Sequence, residues 1–356
     1  MSDRPLVVER LSEDDGEAIA QLLTEFPYLS VTTDYGAAND RIVQYHVGYV
    51  LARTAKEGSA VWGAREGRTL RGLLCLDPLP FESGIFARKM GGISMLAASG
   101  EPATARTAYD ALIAAGLRVA SEEGYVHLSC RLRVEDVTLT HCLERAGFLL
   151  ADTTLEFGWK TDRMRVEEKP NSWMVTDIFN RKTRIFKLAA TVRPFTEADL
   201  PAMKALAREA FTSRTRTRYT ADESLPIDQT GELYARWLEN SFQGTFADVV
   251  RVAEDENGPV GFETMKLDRE LSDALGLKVA LFGIAAVLPT RKGRGVLAST
   301  HCDVLRWCGE NGVRFARGRV LVDNYSMQKL CLITGASVTA VFHTLHRSLD
   351  AAEAGR

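Results

Sequence analysis

The sequence lacks any run of the roughly 20 apolar residues that a helix needs to cross a bilayer. It also lacks a large excess of either charge, because 44 Lys and Arg residues stand against 47 Asp and Glu residues. The resulting net charge of −3 provides no general attraction for nucleic acid or for an anionic membrane surface. We therefore expect neither nucleic acid nor membrane as a partner, and look for small-molecule chemistry.

Cysteine is scarce and scattered, with six residues and no C-x-x-C pair. This pattern predicts neither a zinc site nor a disulfide framework. The six histidines show no metal-ligand spacing either, so we expect no metal and assign no histidine a catalytic role. The first residues lack a secretory signal pattern, and we expect buried thiols in a reducing cytoplasm.

What the sequence does contain is an internal repeat. A short apolar segment followed by a capping-box-like helix start occurs at Ser12 with Asp15 and again at Thr196 with Asp199. Later matches keep nearly the same offset: Gly124 with Gly312 and Gly147 with Gly335. We predict two copies of one α/β (α+β) unit. The predicted boundaries are 1–160 for the first copy, 161–188 for a charged, turn-rich linker and 189–350 for the second copy.

The second copy holds the stretch with the clearest chemistry. Apolar residues ending at Leu288 predict a strand, and Thr290–Gly295 forms a basic loop that contains Gly293. Glycines let the backbone approach a ligand, and the first N–H groups of the following helix lack partners, which favours an anion such as a phosphate. The alternative is a surface turn with solvated basic side chains. The apolar positions at helical spacing beyond the loop are Val296, Val304, Leu305 and Cys308.

Together with the strand and the Asn-containing turn that follow, this stretch resembles the GCN5-related N-acetyltransferases. Their first motif is a strand, Q/R-x-x-G-x-G/A and a helix; their second is a strand, Asn and a short helix. Lys292, Gly295 and Leu297 fall on the signature positions of the first motif, and Asn324 falls on the Asn of the second. Two residues depart from the pattern. Leu297 replaces a small residue, and Cys331 stands where the family has the Tyr that protonates the leaving thiolate.

The resemblance implies a fold and a co-substrate. Each copy would be a mixed, mostly antiparallel twisted sheet flanked by helices. The co-substrate would be acetyl-CoA or another acyl-CoA, with the pantetheine arm along the strand Leu281–Val287 and the pyrophosphate on the loop. The residues expected to contact acyl-CoA are Ala285, Ala286, Val287, Lys292, Gly293, Arg294, Gly295, Val296, Leu297 and Asn324.

Two side chains are candidates for proton transfer. Cys331 could protonate the departing thiolate, because a free thiol has a pKa of about 8.5. Alternatively it is a small apolar plug, and the thiolate takes its proton from water. Glu263, on the predicted strand Val260–Leu267, is the candidate base that neutralises the amine, with a chain of water molecules as the alternative.

Residues 192–347 are similar, more narrowly, to the dTDP-fucosamine acetyltransferase group, which acetylates the amine of a nucleotide-linked amino sugar. Arg214, Arg216 and Arg218 would share one side of an extended segment and could bind a diphosphate, or they could belong to a solvated loop. The best match is therefore an N-acyltransferase for such a sugar. The alternatives are another amine (an amino acid, a polyamine or an antibiotic) and an inactive CoA-binding or scaffold protein. The segments that carry this similarity are Arg208–Phe211, Ser213–Arg214, Leu233–Ser241, Gly244–Phe246 and Thr344–Arg347.

The first copy differs from the second at the chemical positions. Its counterpart of the loop, Leu96–Thr104, carries Glu101 and Pro102 in place of the basic Gly-x-Gly. Asp136 and Leu143 stand at the counterparts of the motif asparagine and of the cysteine. A carboxylate at this helix start would repel a pyrophosphate, so we expect a degenerate, non-catalytic domain with a structural role. Because the duplicate can supply contacts that simpler relatives make by dimerising, a monomer is favoured over a homodimer.

Overall fold

The computed structural model describes residues 5–31, 33–212 and 216–349. The chain divides into two compact units: unit 1 joins Met1–Thr153 to Val341–Arg356, and unit 2 is Thr154–Ala340. The elements of the first repeat are β1 (Leu6–Arg10), α1 (Gly16–Glu25), α2 (Asn39–Thr54), β2 (Ala60–Glu66), β3 (Thr69–Pro78), α3 (Pro80–Phe86), β4 (Met90–Ala98), α4 (Pro102–Glu122), β5 (His127–Arg133), α5 (Val137–Arg145) and β6 (Leu149–Lys160). Three strands follow: β7 (Met164–Lys169), β8 (Ser172–Asp177) and β9 (Lys182–Lys187).

The second repeat has the same order of elements as the first, which confirms the predicted duplication. Its elements are β10 (Thr191–Pro194), α6 (Leu200–Thr212), α7 (Ile227–Phe242), β11 (Val249–Asp255), β12 (Gly258–Leu267), α8 (Arg269–Leu275), β13 (Val279–Val287), α9 (Val296–Glu310), β14 (Phe315–Leu321), α10 (Tyr325–Ile333) and β15 (Ser337–Ser348). In both repeats the predicted capping box forms, and the N–H groups of Ser12 and Thr196 each donate to a carboxylate oxygen at 2.8 Å.

Each unit completes its sheet with the last strand of the other repeat. The order in unit 1 is β1-β2-β3-β4-β5-β15, where Phe342 lies opposite Arg133. The order in unit 2 is β6-β14-β13-β12-β11-β10, where Lys160 lies opposite Phe315. Within the units the pairs β4–β5 and β13–β14 are parallel, and most of the others are antiparallel. The predicted mixed, mostly antiparallel sheets are confirmed.

The segment predicted to be a linker, 161–188, contains a separate three-stranded antiparallel sheet within unit 2, in the order β7-β8-β9. One face of this sheet packs on α9, because Trp173 and Val175 are 1% and 3% exposed and cluster with Cys302. The main core of unit 2 lies between the large sheet and helices α9 and α10, and includes Trp159 and Met265. The three-stranded sheet therefore supports the helix that follows the glycine loop.

All six cysteines are buried. Among the described helices, none is both long enough and apolar enough to span a membrane.

Candidate functional site

The parallel strands β13 and β14 are paired over only part of their length. Val279–Leu281 pair with Phe315–Arg317, and in the described part of unit 2 the pairing goes no further. β13 nevertheless continues to Val287, still paired with β12 on its other side. Gly283 is exposed although it lies in an interior strand. One edge of β13 therefore borders an open cleft and presents backbone groups that the sheet does not use.

A bulge in β13 lies where the two strands part. The Thr264 hydroxyl accepts a hydrogen bond from the Ile284 N–H at 2.8 Å and donates to the Ile284 carbonyl at 3.1 Å. A Cβ at position 283 would lie 2.4 Å from that hydroxyl oxygen, so glycine is required there. Bulges re-aim the backbone and are common next to active sites. Here the bulge redirects β13 at the cleft.

The loop between β13 and α9 is open and basic. Gly293 and Gly295 adopt left-handed conformations with φ of 74° and 87°. A Cβ at Gly293 would have no atom of the described residues within 4 Å, so these residues leave space beside the loop. Lys292 and Arg294 are exposed, and neither forms an ion pair with any described residue. No side chain of the described residues caps α9, which leaves its first N–H groups available to an anion.

The loop is anchored from two sides. Arg291 donates to the Asp255 carboxylate at 2.6 Å, and this hydrogen bond lowers the pKa of Asp255. On the other side the Ala189 N–H donates to the Ser299 hydroxyl at 3.3 Å. Arg291 therefore positions the loop, and its charge is already neutralised.

The corresponding loop of unit 1 is shorter and carries the opposite charge. β4 ends at Ala98, and α4 begins at Pro102 with Glu101 as its N-cap residue. Proline removes one of the free N–H groups, and a carboxylate at a helix start disfavours a second anion. Both features support the expectation that unit 1 does not bind acyl-CoA, which stays a prediction.

Asn324 holds the turn that follows β14. Its side-chain oxygen accepts a hydrogen bond from the Met327 N–H at 3.2 Å and so caps α10. Asp136 caps α5 in the same way, with the Leu139 N–H at 2.9 Å. The Asn324 side chain is exposed, so it is accessible, and its contact with acyl-CoA stays a prediction.

Cys331 lies inside the core of unit 2. It is fully buried in the cluster that includes Trp159 and Val320. Burial raises the pKa of the Cys331 thiol to about 12. Leu143, its counterpart in unit 1, is also fully buried. These surroundings favour the plug over the acid, because a thiol enclosed in the core does not reach a departing thiolate.

Glu263 faces α9 and is 2% exposed. One of its carboxylate oxygens lies 2.9 Å from Nδ1 of the fully buried His301. The other oxygen and His301 Nε2 have no partner within the described residues. The imidazole stacks on Phe282, with 4.6 Å between ring centroids. This enclosed pair favours a structural role for Glu263. The sequence does not indicate that Glu263 and His301 meet, because no spacing in it shows which strand residue a side chain of α9 contacts.

Of the three arginines predicted to bind the substrate, the structure describes two. Arg214 lies outside the described residues, and Arg216 is exposed. The chain turns at 218–220, so the expected extended segment does not continue there. The Arg218 guanidinium lies 4.6 Å from the Tyr219 ring centroid and donates to the Tyr219 hydroxyl. Their role in binding a diphosphate stays a prediction.

No family model matches the sequence. A curated relative, the dTDP-fucosamine acetyltransferase of Escherichia coli O6:H1, is 28% identical over 152 residues. That match covers 42% of this chain and 60% of the relative, less than two thirds of the relative's length.

Solved structures match nearly the whole chain. A GCN5-related N-acetyltransferase from Sphaerobacter thermophilus has a TM-score of 0.61 at 13% identity, covering 98% of this chain and 96% of its own. A tandem GNAT protein from the clavulanic acid biosynthesis pathway has a TM-score of 0.50 at 13% identity, covering 97% and 98%. A glucosamine N-acetyltransferase region of a fungal multi-domain β-N-acetylglucosaminidase has a TM-score of 0.60 at 13% identity, covering 98% and 38%.

This chain therefore has a tandem GCN5-related N-acetyltransferase fold, and the resemblance seen in the sequence is confirmed at the level of the fold. The acetyltransferase class also agrees with the name of the curated relative.

Proposed function

We propose that this protein is an acyl-CoA-dependent N-acyltransferase whose unit 2 uses acetyl-CoA to acetylate a small-molecule amine. The proposed acceptor is a nucleotide-linked amino sugar. The observation that carries the proposal is the junction of two features in unit 2. The strands β13 and β14 part after Leu281 and Arg317, and an unneutralised basic glycine loop follows β13 at the start of α9.

The two parts of this site match the two ends of acyl-CoA. The pyrophosphate is anionic, and the loop offers Lys292, Arg294 and the free N–H groups at the start of α9. The pantetheine arm contains amides, and the free edge of β13 at 282–287 offers backbone groups that can pair with them as a strand would. Both contacts place the thioester near the bulge at Gly283.

The reaction requires a neutral amine at the thioester carbonyl carbon. The new C–N bond forms as the C–S bond breaks, CoA leaves as the thiolate, and the amine loses one proton. The Ile284 N–H is occupied by Thr264, so the backbone N–H groups suited to stabilise the developing oxyanion are those on the unpaired edge of β13 beside the bulge. Because Cys331 and Glu263 are enclosed in the core, we infer that water in the cleft carries both protons.

The acceptor class rests on the name of the curated relative and on the basic segment that follows α6. Arg216 is exposed there and is available to a diphosphate. An amino acid, a polyamine or an antibiotic as acceptor, and an inactive CoA-binding protein, are the competing outcomes of the test below.

The test measures CoA release from acetyl-CoA with a thiol-reactive dye over a panel of amines. The background from the protein should be low, because all six of its thiols are buried. The panel holds dTDP- and UDP-linked amino sugars, the free amino sugars, an amino acid, a polyamine and an aminoglycoside. We expect kcat/KM for a nucleotide-linked sugar to exceed that for the free sugar about tenfold or more, as one charge-assisted contact provides.

Other outcomes contradict the proposal at different points. Release that is fastest with the polyamine or the amino acid would replace the acceptor and keep the enzyme class. No release with any amine, from protein shown to be folded, would favour the inactive CoA-binding protein.

A further inference from the structure

A basic cavity of about 340 Å³ lies within unit 2, between the three-stranded sheet and the C-terminal end of α10. Four basic side chains line it: Lys160, Arg163, Lys182 and Arg184. Lys160 pairs with Phe315 at the start of β14, whereas the cleft opens beyond Arg317. The cavity is therefore distinct from the loop assigned to acyl-CoA.

The positive charge of the cavity is offset only in part by the described residues that line it. Across the described residues, none of the four basic side chains forms an ion pair or donates a hydrogen bond to a side chain. The lining contains one acid, Asp177. Its carboxylate accepts hydrogen bonds from the backbone N–H groups of Phe179 and Asn180 at 2.9 and 3.0 Å and from the Asn180 amide at 2.7 Å. Asp177 thus holds the β8–β9 turn, and the cavity keeps an excess of cations.

Capping of α10 does not explain these cations. The Thr334 hydroxyl donates to the Leu330 and Cys331 carbonyls at 2.8 and 3.0 Å. The Gly335 N–H donates to the Leu332 carbonyl at 3.2 Å. These hydrogen bonds already occupy carbonyls of the last turn of α10, so the four basic side chains do not cap it. The four side chains are exposed, and their like charges repel one another with a single acid of the lining, Asp177, to offset them.

Apolar surface borders the same cavity. The Phe179 side chain is 72% exposed, and the Arg163 guanidinium lies 4.6 Å from its ring centroid. Leu332, also in the lining, is 53% exposed. A ligand that combines an anion with a planar ring would cover this surface, through charge-assisted hydrogen bonds and through stacking on Phe179. The volume lies within the range of about 300–1,000 Å³ that is typical of small-molecule sites.

We propose that this cavity binds a small phosphorylated molecule with a planar ring, of the nucleoside monophosphate class. The phosphate contacts the basic side chains of β9 and the end of β6, and the ring stacks on Phe179. The site is independent of the proposed acyl transfer, since none of its residues belongs to the β13–α9 loop.

The experiment is a titration of the full-length protein with AMP by calorimetry at low ionic strength, with inorganic phosphate and adenosine as separate probes. The double variant Lys182→Gln/Arg184→Gln removes two charges that line the cavity. Arg165→Gln is the control for a charge removed outside the cavity, because its side chain is 69% exposed and lies outside the lining. It is compared with each single variant, Lys182→Gln and Arg184→Gln, as well as with the double variant. Phe179→Ala tests the ring contact.

We expect saturable AMP binding that weakens about tenfold or more in the double variant and less than twofold in the control. Phe179→Ala should weaken AMP and leave inorganic phosphate unchanged. The proposal is overturned if folded wild type shows no saturable AMP binding, or if the double variant binds as wild type does. An equal loss in Arg165→Gln would mean a general charge effect and would also overturn it. The variant Gly295→Asp, in the loop between β13 and α9, is titrated as well. A loss of AMP binding seen only in this variant would also overturn the proposal, because AMP would then occupy that loop.

Discussion

The bulge at the cleft predicts a strong coupling between two neighbouring positions. In Gly283→Ala the new Cβ would lie 2.4 Å from the Thr264 hydroxyl, closer than real Cβ atoms approach. Overpacking of this kind costs about 1–3 kcal/mol. Thr264→Ala removes two buried hydrogen bonds to Ile284 and should cost about 2 kcal/mol at roughly 1 kcal/mol each.

The double variant should be much more stable than the sum of these costs predicts. Once Thr264 is alanine, the added methyl group has space, and Gly→Ala then stabilises by about 0.4–1 kcal/mol by restricting the unfolded chain. We therefore expect a coupling free energy between about −1.4 and about −4 kcal/mol in the double-mutant cycle. Gly92→Ala is the matched control in the corresponding strand of unit 1, where the nearest atom to the new Cβ is a flexible leucine carbon at 3.4 Å.

The assay is urea unfolding followed by tryptophan fluorescence. Four of the five tryptophans, at 159, 173, 237 and 307, lie within unit 2, so the signal reports mainly on that unit. Gly92 lies in unit 1, so the unfolding of wild type and of each variant is also followed by circular dichroism, which reports on both units. Costs for Gly283→Ala and Thr264→Ala that simply add would refute the proposed geometry of the bulge. A Gly283→Ala variant as stable as Gly92→Ala would refute it as well.

Three further predictions concern buried and paired groups. Cys331→Ala should keep kcat within about threefold and lower the free energy of unfolding by roughly 1–2 kcal/mol, because the thiol fills space in the core. A loss of kcat of about 100-fold, with a change in the alkaline limb of the pH–rate profile, would instead make the thiol the acid. Glu263→Gln should also keep kcat within about threefold, because the carboxylate has a structural role. If Glu263 were the general base, the substitution would lower kcat about 100-fold or more, and kinetics between about pH 6 and about pH 9 distinguish the two roles. Hydrogen bonds from Arg193 lower the pKa of Asp199 to about 2, whereas an aspartate in the unfolded chain has a pKa of about 3.9. The ionised Asp199 carboxylate therefore stabilises the fold above about pH 4, and this contribution is lost as the pH falls towards about 2. Arg193→Ala should therefore shift acid unfolding, followed by circular dichroism, to higher pH, and an unchanged midpoint would contradict this linkage.

Local patterns in the sequence predicted the parts of the fold that depend on neighbouring residues. The strand, glycine loop and helix around Gly295 follow from apolar runs, from glycine and from helical spacing, and Val296 and Val304 are buried as that spacing predicts. The capping boxes at Ser12 and Thr196 are equally local. The duplication was visible because both copies retain these signals.

Long-range pairing was not predictable in the same way. β15 pairs with β5 rather than with a strand of its own repeat, and its own alternation does not say which edge it joins. The short strands of 164–187 carry many charges, a pattern that predicts a linker. Only the structure shows that Trp173 packs against α9. The pairing of Glu263 with His301 likewise depends on how α9 lies on β12.

The most direct measurement is a calorimetric titration with acetyl-CoA of wild type, Gly295→Asp and Gly312→Asp. Both glycines have positive φ. Gly312 lies beyond the other end of α9, where an added Cβ would have no atom of the described part of the chain within 4 Å. A carboxylate near the two charges of a pyrophosphate is repelled by about 1 kcal/mol for each charge at 4 Å in water, which corresponds to a loss of about tenfold or more.

We predict saturable binding by wild type, an affinity for Gly312→Asp within about twofold of wild type, and binding by Gly295→Asp weakened about tenfold or more. Thermal unfolding of each variant checks that it is folded. No binding by wild type, or equal binding by a folded Gly295→Asp variant, would contradict the assignment of acyl-CoA to the loop of unit 2.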